Sequence, residues 1–167
     1  MVTWTSVEEE LLSLAGSVPD PELPVLTLEE LGVVRGVDVS EPEGRVTVRL
    51  TPTYTGCPAI EAMSADIERV LHNHGVAEVT VQTVLSPAWS TDDISPEGRR
   101  KLAEFGIAPP RPHDAASDGP VPLTLSVRCP HCGSTDTELL SRFSSTACKA
   151  LRRCVACQEP FDHFKEL

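Results

Sequence analysis

A chain of 167 residues can bury one ordinary hydrophobic core and a small satellite, and a two-part protein is the natural expectation. Its net charge of −11 opposes binding to nucleic acid, and no apolar run approaches the roughly eighteen residues of a membrane span. The acidity sits in one part of the chain: residues 1–106 carry seven Lys/Arg against eighteen Asp/Glu, and residues 107–167 carry seven against seven.

The first fourteen residues lack the basic flank and continuous apolar core of an export signal, so a cytoplasmic protein is expected. Trp4, Val7, Leu11 and Leu14 recur at helical spacing with Glu8, Glu9 and Glu10 on the wet side, and Ser6 offers a cap with Glu9 three residues on. Gly16 to Pro19 ends that helix. Asp20-Pro21-Glu22-Leu23-Pro24 follows as a proline-stiffened loop with two carboxylates close together. By spacing alone it reads as a turn whose acids cap local amides. Thr27 to Leu31 fits a single capped helical turn closed by Gly32.

Residues 33–39 and 45–50 alternate as the strands of an antiparallel hairpin, with Val46, Val48 and Leu50 on one face. A helix after Pro58 carries the stripe Ile60, Met63, Ile67, Val70, Leu71 and His74, capped by Gly75, and residues 77–85 make a third strand. Strand, helix, strand in that order implies a parallel crossover. The expected fold is α+β: a small mixed three-stranded sheet with helices packed on one face. Ser95-Pro96-Glu97 caps a further short helix that Gly106 stops. Residues 107–122, with five prolines, read as a linker, dividing the chain into a domain at 1–106 and a second, all-β part at 123–167. In the latter, strands are expected at 123–127, 138–143 and 151–153.

The strongest signal lies in that second part. Cys129-Pro130-His131-Cys132 and Cys154-Val155-Ala156-Cys157 are two Cys-x-x-Cys pairs separated by twenty-one residues, the spacing of a four-thiolate zinc ribbon. Gly133 lets the first turn fold back, so that amides face the sulfurs. Structural disulfides would need an oxidising compartment, a thioredoxin-like site would need one such pair rather than two, and four inert buried thiols would not be so regularly paired. Zinc is the expected metal. Iron in a rubredoxin-like site stays open, because spacing does not separate the two. His131 needs no ligand role, His163 reads as part of the ribbon core beside its aromatic neighbours, and Cys148 as a packed thiol. The only basic cluster near the site, Lys149, Arg152 and Arg153, could face phosphate or a protein.

Cys57 precedes a helix start, where backbone amides and the helix dipole would favour its thiolate, and hydroxyls of Thr51, Thr53, Tyr54 and Thr55 surround it in sequence. It could hold metal, attack, or be core. No serine, histidine and acid constellation or Gly-rich phosphate loop is present, so no self-sufficient catalytic site is expected.

Asp20-Pro21-Glu22, Thr27 to Gly32 and Thr51-Pro52-Thr53-Tyr54-Thr55-Gly56-Cys57-Pro58 together resemble the small domain of SufT-like iron–sulfur assembly proteins. With the ribbon, including residues 142–149 and 161–165, the whole chain resembles the PaaD (PaaJ) family of the phenylacetyl-CoA epoxidase system. That resemblance implies a non-catalytic accessory subunit of aerobic phenylacetate breakdown that helps mature metal centres. Its partners would be the di-iron oxygenase and its reductase, with iron–sulfur assembly machinery or a second copy of the chain as further candidates. It carries a cluster- or iron-handling role onto Cys57, Asp20, Glu22 and Thr53, and metal ligation onto Cys129, Cys132, Cys154 and Cys157. A purely structural subunit, or an electron carrier with iron in the four-cysteine site, are the alternatives.

Overall fold

A computed structural model of the chain describes residues 4–40, 42–111 and 126–166, the side chains of Trp4 and Thr5 excepted. It divides into two compact units, residues 1–98 and 99–167.

The first unit contains α1 (Trp4–Gly16), α2 (Leu28–Leu31), β1 (Val34–Ser40), β2 (Arg45–Leu50), α3 (Ala59–Asn73) and β3 (Val79–Thr83). A 3₁₀ turn over Thr91–Asp93 and the start of α4 (Pro96–Glu104) complete it. The sheet order is β1-β2-β3, with β1 antiparallel and β3 parallel to β2, as the pattern of the sequence requires. Registers Val37↔Val48, Val46↔Val79 and Val48↔Val81 put valines on one face, and Val46, Val48 and Leu50 are buried there. Asp38, Arg45, Thr47 and Arg49 fall on the other, where Arg49 Nε meets Asp38 Oδ2 at 3.0 Å. One dry and one wet face is the usual state of a small sheet with an antiparallel pair.

Helices α1 and α3 touch each other and the outer strands β1 and β3, respectively, so both lie over the dry face. From α3 the buried residues are Ala59, Met63, Ile67 and Leu71, at the i, i+4, i+8, i+12 positions of one stripe. His74 lies outside that stripe: it is exposed, with Nε2 3.1 Å from Glu10 Oε1. Helix α1 starts at Trp4, two residues before the expected cap at Ser6, which is therefore inside the helix. The short α2 is closed at both ends by its own sequence. Thr27 and Glu30 form a reciprocal capping box, and Gly32 takes the left-handed conformation (φ 75°) against Asp93, where a Cβ would collide. Trp89 Nε1 donates to Leu31 O at 2.8 Å and Arg35 meets Asp93 at 3.0 Å, tying the 3₁₀ region back to the sheet.

The second unit holds the rest of α4, then β4 (Ile107–Ala108), β5 (Thr137–Ser141), β6 (Lys149–Cys154) and β7 (Pro160–Phe164) in sheet order β4-β7-β6-β5. Two of these strands were not read from the sequence. Strand β7 is antiparallel to β6, and β4, within the stretch expected to be a linker, runs parallel to β7. The strand expected at 123–127 lies partly outside the described residues; Ser126 and Val127 are not in a strand. Residues 112–122 of the expected linker also lie outside them. Ala108, Val127, Cys129, Cys154 and Phe161 form the buried cluster of this unit. No helix of the described residues is long and apolar enough to cross a membrane.

Candidate functional site

Each unit carries one cysteine site, and the two are built differently. In the second unit the knuckles repeat one hydrogen-bond scheme. Gly133 N donates to Cys129 O (2.9 Å) and Cys129 N to Ser134 O (2.8 Å); Gln158 N donates to Cys154 O and Cys154 N to Glu159 O, both at 3.0 Å. The fourth residue after the leading cysteine must take a left-handed backbone to close this turn. Gly133 does so at φ 77° without cost, whereas Gln158 does so at φ 65° with a Cβ.

The result is convergence of four sulfurs. Cys129, Cys132, Cys154 and Cys157 place every Sγ within 4.8 Å of the others, with Cys129–Cys157 at 3.8 Å and Cys132–Cys154 at 3.5 Å. Four thiolates about 2.3 Å from a tetrahedral zinc stand roughly 3.8 Å apart, so the donor set fits such an ion, and it fits iron in the same geometry. The amides of Cys157 and Ala156 aim at Cys154 Sγ and lower its pKa to about 7. Cys157 receives the Glu159 amide, but desolvation and the sulfurs beside it push its pKa up to about 12. Cys132 is likewise raised: the Ser134 amide is outweighed by Cys154 and desolvation. Cys154 is thus eased toward its thiolate while Cys132 and Cys157 resist losing their protons, a resistance that a divalent cation removes.

The surrounding side chains are more inward than their sequence suggests. Lys149, expected in a basic surface cluster, is 5% exposed, with Nζ 3.4 Å from Asp162 Oδ2. Arg152 is half-buried, and Arg153 pairs with Glu138. The three cations therefore do not form one surface. The cause is strand register, since Leu151 opposes Asp162 across β6 and β7 and brings that carboxylate beside Lys149. His163 is buried between Phe161 and Phe164 in sequence, as expected, and burial holds its pKa below the usual histidine range. Cys148 is buried with Thr146 Oγ1 3.1 Å from its sulfur. His131 is exposed and its ring stands 3.2 Å from where a Cβ on Gly106 would be, which, with φ 80°, reserves that position for glycine.

In the first unit Cys57 closes a turn begun at Tyr54, whose carbonyl accepts from Cys57 N at 3.3 Å, with Gly56 at φ 81° in the third position that such a turn gives to glycine. Helix α3 begins two residues later, at Ala59, and carries no side-chain cap. The Ala59 amide and the Tyr54 hydroxyl both donate to Cys57 Sγ. The expected low-pKa thiolate does not result. Cys57 is 6% exposed, and burial raises its pKa above the ordinary value of 9.0, outweighing those donors, with the charges of Glu22 and Asp20 adding to the rise.

That electrostatic link also shows which residues the fold brings together: both carboxylates of the 20–22 loop act on Cys57. The loop is fixed by its own backbone. Asp20, 5% exposed, accepts on Oδ1 from Glu22 N (2.8 Å) and Leu23 N (2.7 Å), and Asp20 N donates to Leu26 O. Asp20 is thus an amide cap, as its sequence suggests, but a buried one. Glu22 is half-buried. Thr53 lies half-buried in the loop from β2 to α3, and Thr51, at the end of β2, is buried with no partner for Oγ1 among the described residues.

Comparison with known proteins adds names to both units. Residues 8–85 match the model of an iron–sulfur cluster assembly protein family, and residues 114–165 match that of the PaaD zinc beta ribbon domain. The chain is 47% identical over 156 residues to an Escherichia coli (strain K12) protein, a subunit of the "Putative 1,2-phenylacetyl-CoA epoxidase", covering 93% of this chain and 91% of that one. It is 33% identical to an "Fe-S protein maturation auxiliary factor" of Porphyromonas gingivalis (strain ATCC BAA-308 / W83), over 59% of this chain and 93% of the relative. A crystal structure of a DUF59 domain of unknown function from Bacillus anthracis superposes with a TM-score of 0.54 at 29% identity, over 59% of this chain and 92% of that domain. Joined on one chain, and with a relative matched nearly end to end, these features settle the family: the chain belongs to the PaaD family of phenylacetyl-CoA epoxidase subunits.

Proposed function

We propose that this chain is a maturation subunit of a multicomponent phenylacetyl-CoA epoxidase of aerobic phenylacetate breakdown, working in the cytoplasm without a catalytic site of its own. Iron or an iron–sulfur cluster is its cargo, taken up at Cys57 with Asp20, Glu22 and Thr53 and passed to the di-iron oxygenase or its reductase. Cys129, Cys132, Cys154 and Cys157 hold a structural zinc, and the ribbon they brace docks the client proteins.

The observation that carries this reading is that Cys57 lies within reach of the charges of Glu22 and Asp20, in the part of the chain that matches an iron–sulfur assembly family. The charges of Glu22 and Asp20 penalise a thiolate and favour a cation. At neutral pH the thiol is protonated at rest, and an arriving iron ion takes the place of the proton. One thiolate does not complete the four-thiolate set usual for a cluster, so the cargo is shared with a second copy, a client or assembly machinery, as befits a group in transit.

A second reading, a structural subunit that never handles iron, draws on the burial of Cys57. The two separate when the oxygenase and reductase subunits are produced with the parent chain, with Cys57→Ser, or without this chain. If Cys57 carries cargo, the serine variant leaves client iron and epoxidase activity as low as omission does. Full iron and activity with the serine variant would establish the structural reading.

A further inference from the structure

Beside the first knuckle, wholly within the second unit, lies a cleft of about 630 Å³, within the range of small-molecule sites. Its apolar wall comes from Ala103 of α4, Ala108 of β4, Pro109, Pro110 and Val127. These are stiff or small groups, and Ala108 and Val127 are also part of the buried cluster, so the wall is anchored in the core. The charged part of the lining is Arg99, Arg111, Arg128 and Glu166, and His163 also lines the cleft. Among the described residues the lining thus holds three guanidinium groups and one carboxylate.

The arginines are not equivalent. Arg99 is turned to Pro110 O, and Arg111 Nε lies 3.3 Å from Glu166 Oε1, which neutralises that carboxylate. Arg128 spends Nη1 on Gly133 O at 2.8 Å. A guanidinium has five donors, and among the described residues Arg128 meets no carboxylate. A cleft with an apolar wall and, at its exposed rim, a guanidinium with no acidic partner among the described residues suits a molecule with an apolar body and an anionic head.

We infer that this cleft is a binding site for a small amphipathic anion, its apolar body lying against Ala103, Pro109, Pro110 and Val127 and its anionic head paired with Arg128. The site adjoins the thiolate centre through Cys129, lies in a different unit from Cys57, and does not depend on either handling iron. Bound there, a ligand would brace the first knuckle, because Cys129 and Pro130 also line the cleft and Arg128 holds the knuckle at Gly133.

The test uses the metal-loaded full chain, titrated with octanoate, octylamine and 1-octanol and followed by ¹H–¹⁵N spectra that include the arginine Nε–H signals. Octanoate is expected to give saturable shifts at Arg128 and in residues 126–130, with octylamine weaker by about tenfold or more, one charge-assisted contact's worth. Arg128→Glu should reverse the order of octanoate and octylamine. Ala103→Trp, which fills the slot and leaves the charges in place, should weaken octanoate by about tenfold or more. Retained metal content and unchanged dispersion elsewhere in the spectrum verify the fold of both variants. Equal binding of the three probes, octanoate binding unaffected by Arg128→Glu, or no saturation at millimolar octanoate would overturn the inference.

Discussion

The two cysteine sites of this protein solve opposite problems. In the ribbon, four sulfurs within 4.8 Å of one another converge on one point, and their cost is mutual repulsion that only a cation relieves. At Cys57 a single sulfur is kept protonated by burial and by two nearby carboxylates. A site that keeps its metal needs a complete donor set; a site that passes cargo on needs an incomplete one. On the proposed reading the ribbon is a holder and the Cys57 loop a handler, and that contrast can be broken at several places.

The largest effect is expected from Cys154→Ser. It removes the thiol whose pKa is drawn down to about 7, so metal content should fall from one ion per chain to none and the dispersed amide signals of 126–166 should collapse, while those of the first unit persist. Metal analysis with an amide spectrum reads both. Retention of a full metal equivalent would show that three thiols suffice.

Asp20→Ala tests the other side. It strips Glu22 N and Leu23 N of a buried acceptor and should cost about 1–3 kcal/mol in denaturant unfolding of the first unit, with the ribbon metal unchanged. Glu22→Gln should be milder on stability but visible on chemistry. Alkylation of Cys57 in the metal-loaded protein should rise with pH through a midpoint above 9 in the parent, and that midpoint should move down when the Glu22 charge is removed. A parent midpoint below the ordinary thiol value would restore the activated-thiolate reading that the helix start suggests from sequence.

The smallest effect is expected at the second knuckle, where Gln158→Gly should raise the thermal stability of the ribbon by about 1 kcal/mol, the cost of a left-handed non-glycine residue. Gly133→Ala should lower it by a similar amount, since the two positions are equivalent in the repeated turn.

Sequence periodicity made much of this legible. The three-stranded sheet follows from alternation of Val46, Val48 and Leu50 and from the stripe Met63, Ile67, Leu71, because both signals report burial on one face. The four-cysteine site followed from spacing, because each knuckle is a local turn whose geometry its own residues set. What stayed hidden depends on contacts between distant segments. Strand β7 begins at a proline and β4 has only two residues, so neither carries a periodic signal; pairing with β6 and with β7 makes them strands. Lys149 looks like a surface cation until register brings Asp162 beside it. Cys57 looks activated from its place before a helix, and only the tertiary fold buries it and brings the Asp20 and Glu22 charges to bear. The strain at Gln158 had a readable signal, its position four residues after Cys154, matching Gly133 after Cys129.

The most direct test of the division between holder and handler is the iron, sulfide and zinc content of the protein purified without oxygen, for the parent and for Cys57→Ser. The account predicts one zinc per chain in both, with iron, alone or with sulfide, in the parent alone. Iron retained in full by Cys57→Ser, or zinc as the sole metal in both proteins under iron-replete anaerobic conditions, would contradict it.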